Sequence, residues 1–395
     1  MKKILLTLAI AVLGITSTNA QKPIPHTVRT SNNSYARRTE IVIPQLKGYN
    51  VYKGDFHIHT SYSDGCLTPA YRVIEAWYDG LDIISITDHF ENHSGVKRFL
   101  KVTAPYNEDG QPTKYLSPSK TGKIQVDFNA IHLEAEAQVA KSGMPLLLIK
   151  GCEMARNAQT HGHFNCLFVT DYNTLYNKDM AIALSNVKKQ GGIVIHNHPA
   201  WRRKTSDKTE FHEKVYSEGL VDGVEVVNGT SLYPHMIRRC IDEKLTMFAN
   251  TDEHGLTAYR FGRTDYYRTM TLVMAKELTE KAVKDAILKH RTIAYSGGQL
   301  IGEEMWLNEL LNESVVCRVI KEDEKNRTFM LTNMSSFVYK LRRGKTTYML
   351  EPFKSLQVNF GKDKNSGEYL PPKFTVDNMV IVDYKRPVIE IKLDK

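Results

Sequence analysis

The sequence predicts an α/β barrel followed by a smaller all-β module. Between about Tyr49 and Gly302, short apolar runs rich in β-branched residues alternate with helical patterns. That is the mark of parallel strands joined by helical crossovers. Seven or eight such units are enough for a sheet to close on itself. After Gly302 only short β-type runs between turn residues remain, the texture of a small sandwich.

Residues 1–20 stand apart. Lys2 and Lys3 precede the apolar run Ile4–Leu13, and Thr18-Asn19-Ala20 offers small residues before Gln21, the three-part pattern of a secretory leader. The run is too short to span a bilayer, and no later segment is long and apolar enough to do so. An exported protein, periplasmic or extracellular, is therefore expected. The leader carries two lysines and no acid, so its removal takes the formal net charge from +9 to +7. The surplus is spread out, apart from Arg202-Arg203-Lys204 and Lys340 to Lys345, and it fits an anionic substrate. Residues 21–48 are a polar lead-in.

Strands are expected at Val51–His57, Asp82–Thr87, Pro145–Gly151, His163–Thr170, Ile193–His196, Val224–Val227, Thr246–Asn250 and Thr269–Ala275. Between them, Thr68-Pro69 caps and starts a helix that Gly80 closes. Asp127–Ser142 is an Ala/Glu-rich helix ended by Gly143. Met180–Gln190, Leu232–Glu243 and Leu278–His290 complete the set. The barrel is assigned to residues 49–302 and the β module, read as Ig-like, to 303–395. The five cysteines match no zinc ribbon or Cys-x-x-Cys motif; Cys152 and Cys166 read as small buried packing residues.

The chemistry sits at strand ends. His57-Ile58-His59 closes the first strand, and residues two apart on a strand face the same side. Two imidazoles can thus meet one cation. Similar pairs follow at His161-Gly162-His163, His196-Asn197-His198 and Asp252-Glu253-His254, with Asp88-His89 and Glu153 between them. The C-terminal rim is where barrels place their chemistry. Imidazole and carboxylate without thiolates suit divalent zinc, manganese or iron.

These motifs resemble those of the PHP (polymerase and histidinol phosphatase) family of metal-dependent phosphoesterases, in a secreted bacterial type. The carriers are His57-Ile58-His59-Thr60 with Ser63-Asp64-Gly65, Thr87-Asp88-His89, Gly151-Cys152-Glu153, Gly162-His163-Phe164-Asn165, His198-Pro199 and Thr251-Asp252-Glu253-His254. The resemblance spans roughly residues 50–300. It implies a distorted seven-stranded β/α barrel with up to three divalent metals. His57, His59, Glu153 and Asp252 would hold the first metal and its hydroxide, and Asp64, His89 and His254 the second. Glu153 would bridge to a third, completed by His163 and His198. Asp88, His161 and His196 stand as supporting or alternative ligands. His163 is preferred over His161 because the apolar strand continues from it, and His198 over His196 because His-Pro matches the motif.

Arg156, Arg202, Arg203, Arg260 and Arg263 follow the ligand motifs and are candidates for gripping phosphate. The expected activity is hydrolysis of phosphate mono- or diesters of a small molecule, nucleotide or oligonucleotide, and no protein partner is expected. A metal-dependent amidohydrolase-like enzyme and a non-catalytic phosphate- or metal-binding protein are the alternatives.

Overall fold

The runs rich in Ile, Val and Phe become strands, and most of them join one large sheet. The computed structural model describes residues 37–90, 116–118, 124–126, 128, 129, 131–262 and 265–394. The leader expected over 1–20 and most of the lead-in lie outside the described residues.

Strand β1 (Asn50–Ile58) leads through helix α1 (Pro69–Tyr78) to β2 (Ile83–Ile86). Two short strands, β3 (Leu116–Pro118) and β4 (Ile124–Val126), pair only with each other. Helix α2 (Leu133–Ser142) ends on Gly143, whose φ of 63° is the left-handed cap expected there; the expected start at Asp127 lies outside the described residues. β5 (Leu147–Ala155) and β6 (His163–Leu167) are followed by α3 (Met180–Lys189), β7 (Ile193–Asn197) and α4 (Glu210–Ser217). Then come β8 (Gly223–Asn228), β9 (Ser231–Leu232), α5 (Pro234–Asp242), β10 (Thr246–Asn250) and α6 (Thr257–Phe261). β11 (Met270–Ala275), α7 (Glu280–Leu288), β12 (Thr292–Ser296) and β13 (Gln299–Ile301) complete this stretch.

The sheet runs β10-β8-β7-β6-β5-β2-β1-β11-β12-β13 and ends on a strand from the C-terminal segment. It curls so that β10 returns to β1. Along the strands this approach is made by side chains: Phe56 N of β1 donates to Asn250 Oδ1 at 2.9 Å, and from β11, the neighbour of β1, Thr271 Oγ1 donates to the Ala249 carbonyl at 2.9 Å. At the rim it becomes backbone pairing, with Asp252 N donating to His57 O at 2.8 Å and His59 N to Glu253 O at 3.1 Å. The first candidate ligands are therefore stitched to the last ones.

The sheet departs from the expected mostly parallel order at two places. β6 runs antiparallel to both β5 and β7. Seven residues separate β5 from β6, too few for a crossover, which needs a dozen or more. β11 pairs antiparallel with β1 and carries β12 and β13 antiparallel beyond it.

The segment expected to be all-β opens instead with a helix, α8 (Glu304–Ser314), which buries Trp306, Leu307, Leu310 and Leu311. Two antiparallel sheets follow. One contains β14 (Val315–Glu322), β15 (Asn326–Asn333) and β18 (Ser355–Gly361); the other contains β16 (Tyr339–Arg343), β17 (Thr346–Leu350), β19 (Lys373–Val376) and β21 (Val388–Glu390). β20 (Met379–Val380) leaves them to pair with β13 of the large sheet. One apolar core runs through both regions, from Ile84 and Leu272 past Trp306 and Leu310 to Phe329 and Phe374. The described cysteines are all free; Cys152 and Cys166 are buried as expected.

Candidate metal centre

β1 delivers His57 on its last turn of pleat and His59 just beyond its end. Their Nε2 atoms face each other at 3.1 Å, and both side chains are fully buried. β2 leads into Asp88 and His89, and β5 carries Glu153. His89 and Glu153 pair across the rim, with Phe90 N donating to Glu153 O at 2.7 Å and Glu153 N to Asp88 O at 3.1 Å. Because β6 is antiparallel, its first residue, His163, reaches the same rim as the last residues of its neighbours. His198 lies one residue past β7 with φ of 25°, and Asp252 lies past β10 with φ of 52°. Left-handed backbone at such residues costs about 1–3 kcal/mol each and persists only where the surroundings enforce it.

Glu153 is the hub. Its Oε1 lies 3.4 Å from His57 Nε2, 3.2 Å from His163 Nδ1 and 3.4 Å from His198 Nε2. Its Oε2 lies 2.7 Å from His89 Nδ1 and 3.6 Å from His59 Nε2. Asp252 Oδ1 stands 3.2 Å from both His57 Nε2 and His59 Nε2. Asp64 faces His89 Nε2 at 3.4 Å and His254 Nε2 at 3.2 Å. The donors fall into four overlapping groups able to hold a cation: His57, His59 and Glu153; His57, His198 and Asp252; Glu153, His163 and His198; and His59, Asp64, His89 and His254. The last is the open side, since Asp64 is 35% and His254 39% exposed while His57 and His59 are sealed.

The donor set fits divalent cations on two grounds. Glu153 Oε2 is buried without a hydrogen-bond partner, although such groups are otherwise satisfied. The Nε2 atoms of His57 and His59 also converge to 3.1 Å, close enough for both to serve one cation. No cysteine belongs to any of the groups, so the donors are imidazole and carboxylate alone.

Electrostatics ties the set together. Burial disfavours the charged form of His57, but the carboxylates of Asp252, Glu225 and Glu153 outweigh it and raise its pKa well above the ordinary value. His89 is buried too, yet Glu153 and Asp64 push it up to about 10. Burial opposes ionisation of Glu153, Asp64 and Asp252, but the surrounding histidines hold all three below the usual carboxylate range. The metal-free protein thus favours protons on His57 and His89, and likewise on His198 and His254 beside the same carboxylates, while the three carboxylates stay ionised. A cation must displace the histidine protons, so affinity rises with pH. Calorimetric titration with zinc in two buffers of different ionisation enthalpy is expected to show net proton release at pH 7; no release would contradict this charge distribution.

The remaining candidates divide. Asp88 is buried and accepts from Thr60 N at 2.7 Å, Thr60 Oγ1 at 2.5 Å and Ser63 Oγ at 2.6 Å. It braces the loop between His59 and Asp64 and lies in none of the four groups. His161 and His196 stay outside as well. The His161 ring packs on Phe211 and meets Thr160 Oγ1 at 2.8 Å; His196 stacks on Phe164, with its Nδ1 2.7 Å from the Tyr216 hydroxyl. Same-side alternation fails in both pairs because the backbone leaves the extended region, at Gly162 with φ of 76° and at His198 with φ of 25°.

The arginines are mostly committed elsewhere. Arg156 donates to Asn177 O at 2.9 Å, Arg203 to the Pro199 and Asp207 carbonyls, and Arg260 to Thr251 O at 3.0 Å. Arg202 stacks on the Trp201 ring at 4.4 Å, and that ring packs 5.0 Å from His163 and 5.3 Å from His198. Arg263 lies outside the described residues.

Four buried charged residues beneath the rim escaped the sequence reading. Glu225 receives His57 Nδ1 at 2.8 Å. Asp55 accepts from Thr251 N, Thr251 Oγ1 and Arg268 Nη2, tying β1 to the loop that bears Asp252. Arg72 donates to the carbonyls of His59 at 2.9 Å, Gly255 at 2.7 Å and Glu253 at 2.8 Å. The available signal was a lone charge inside an apolar run, as at Glu225 in Gly223–Asn228.

No family model matches the sequence, and no curated protein matches it. Among solved structures, the fold superimposes on a two-domain protein from Bacteroides vulgatus ATCC 8482 containing a predicted PHP-like metal-dependent phosphoesterase. The TM-score is 0.78 at 30% identity, over 91% of this chain and 100% of that one. PsfC from Pseudomonas syringae PB-5123 aligns at TM-score 0.39 and 16% identity over 62% of this chain and 90% of that one. Endonuclease Q in complex with an abasic duplex aligns at 0.37 and 14% over 69% and 65%. The latter two are too distant to bear on the site. The identity and near-complete mutual coverage of the first place this chain in the family of proteins built on a PHP-like metal-dependent phosphoesterase domain.

Proposed function

We propose that the chain is an exported hydrolase of phosphate esters that works with two or three divalent ions. His57, His59, Glu153 and Asp252 hold the first ion, Asp64, His89 and His254 the second, and Glu153, His163 and His198 the third. The observation that carries this reading is the position of Glu153, whose two oxygens face five imidazoles. One carboxylate among five nitrogen donors is a bridge in waiting.

When bound, the ions act as Lewis acids toward phosphoryl oxygens and supply an activated water. The protein's own contribution is order. The buried layer below the rim fixes the donors, and the exposed Asp64–His254 edge leaves a face for the ester to approach. On the opposite side Trp201 and Arg202 form the lip over His163 and His198, offering a guanidinium for the phosphate.

Phosphomonoesters, phosphodiesters and amides assayed side by side, before and after chelation, test the assignment. Phosphate-ester turnover that disappears with chelator and returns with zinc or manganese is expected. Turnover of amides alone would end this reading in favour of an amidohydrolase. Tight binding of phosphate compounds without turnover would leave a binding protein.

Export rests on the leader pattern of residues 1–20, and no described helix is long and apolar enough to cross a membrane. Sequencing the mature N-terminus checks it: the chain should begin at Gln21, and retention of Met1 after secretion-competent expression would refute processing.

A further inference from the structure

β8 is buried along its length, yet its third residue is Glu225. A carboxylate in such a place needs partners on all sides. Oε1 meets His57 Nδ1 at 2.8 Å and accepts from Asn250 Nδ2 at 3.0 Å. Oε2 accepts from the backbone N–H of His198 at 2.7 Å and from Asn228 Nδ2 at 2.9 Å. Glu225 belongs to none of the four donor groups, so its oxygens are spent on holding other residues.

The two sides of this carboxylate serve different groups. With Nδ1 committed to Glu225, the His57 ring turns Nε2 toward His59, Asp252 and Glu153. On the other side, the N–H bond pins His198 in its left-handed conformation, φ 25°, and so aims its ring at Glu153. The geometry points to Glu225 as a positioning residue that links the first and third donor groups, fixing the His57 tautomer with one oxygen and the His198 backbone with the other. This inference rests on the metal-centre reading above. The donors assigned to the second ion, Asp64, His89 and His254, are not among the partners of Glu225.

An amide cannot do both jobs. In Glu225→Gln, one orientation sets the NH2 against the N–H donors of His198 and Asn228. The other sets it against His57 Nδ1, which must then accept, leaving the ring proton on Nε2 where a lone pair is needed. Either way one link is lost.

The test is a chelator-competition titration of metal-free wild type and Glu225→Gln with zinc alone. Affinity is expected to fall about 10–100-fold, the usual cost of removing a group that orients a ligand, at the sites built on His57 and His198. The remaining site should keep its wild-type affinity. Unchanged affinity at every site, or an equal loss at all of them, would overturn the inference. If Glu225→Gln fails to fold, nitrogen NMR of zinc-loaded wild type decides: a proton on His57 Nδ1 supports the proposal, and one on Nε2 overturns it. Failure of wild type to bind zinc at all would instead bring down the metal-centre reading itself.

Discussion

Glu153→Gln is expected to strip more than one metal ion from each chain and to abolish phosphate-ester turnover to beyond the about 10–100-fold loss typical of outer-layer changes. The substitution is nearly isosteric, so packing is kept. What is lost is an anionic oxygen on each side of a group that faces His57, His163 and His198 with Oε1 and His59 and His89 with Oε2. The amide keeps one acceptor and turns its NH2 toward imidazole nitrogens, where it competes with a cation. His198→Ala removes a donor from two of the four groups, but in the proposed assignment it serves the third ion, so it should mainly deplete that site. Elemental analysis of wild type and both variants, with kcat measured on a phosphate ester, separates these cases. Equal metal content in all three proteins would refute the bridging role.

Arg72→Met should destabilise the metal-free protein by about 3–5 kcal/mol, a figure set by the cost of stranding buried polar partners. Arg72 is 1% exposed, and its fork ends on three backbone carbonyls and Glu75. Those carbonyls belong to His59, Glu253 and Gly255, so one side chain from α1 clamps both loops that carry candidate ligands. Methionine fills the volume of the stem but donates to none of them. The Glu253 carbonyl keeps His59 N as a donor at 3.1 Å, and the stranded carbonyls of His59 and Gly255 each cost about 1–3 kcal/mol before relaxation. Glu75 retains one partner, since it also accepts from Thr257 N at 2.8 Å. Urea unfolding of the chelated protein measures the effect. A loss below about 1 kcal/mol would mean that water replaces the guanidinium and that the clamp is dispensable.

The candidate ligands were legible because each sits at or beyond a strand end, where an apolar run gives way to His, Asp or Glu. The rim geometry then follows from strand order alone. What was not legible depends on where the chain turns. The pairs His161/His163 and His196/His198 look alike in sequence, but the period of two needs extended backbone, which breaks at Gly162 and at His198 itself. The antiparallel β6 carried a readable signal in its seven-residue connection, too short for a crossover. Helix α8 carried one too, because Trp306, Leu307, Leu310 and Leu311 repeat at helical spacing. The supporting layer was the hardest part. Asp55, Arg72, Glu225 and Arg268 show no motif, and only the closure of β10 onto β1 gives them their partners. A charge in an apolar run indicates burial with a partner but not which partner.

These residues describe a rim whose donors are braced from below and converge on Glu153. Anomalous diffraction from crystals of the zinc- or manganese-loaded protein tests that description most directly. The account predicts at least two metal peaks per chain, with Glu153 bridging two of them and His57 Nε2 directed at one. A single peak elsewhere, or density for ions that leaves Glu153 uncoordinated, would contradict it.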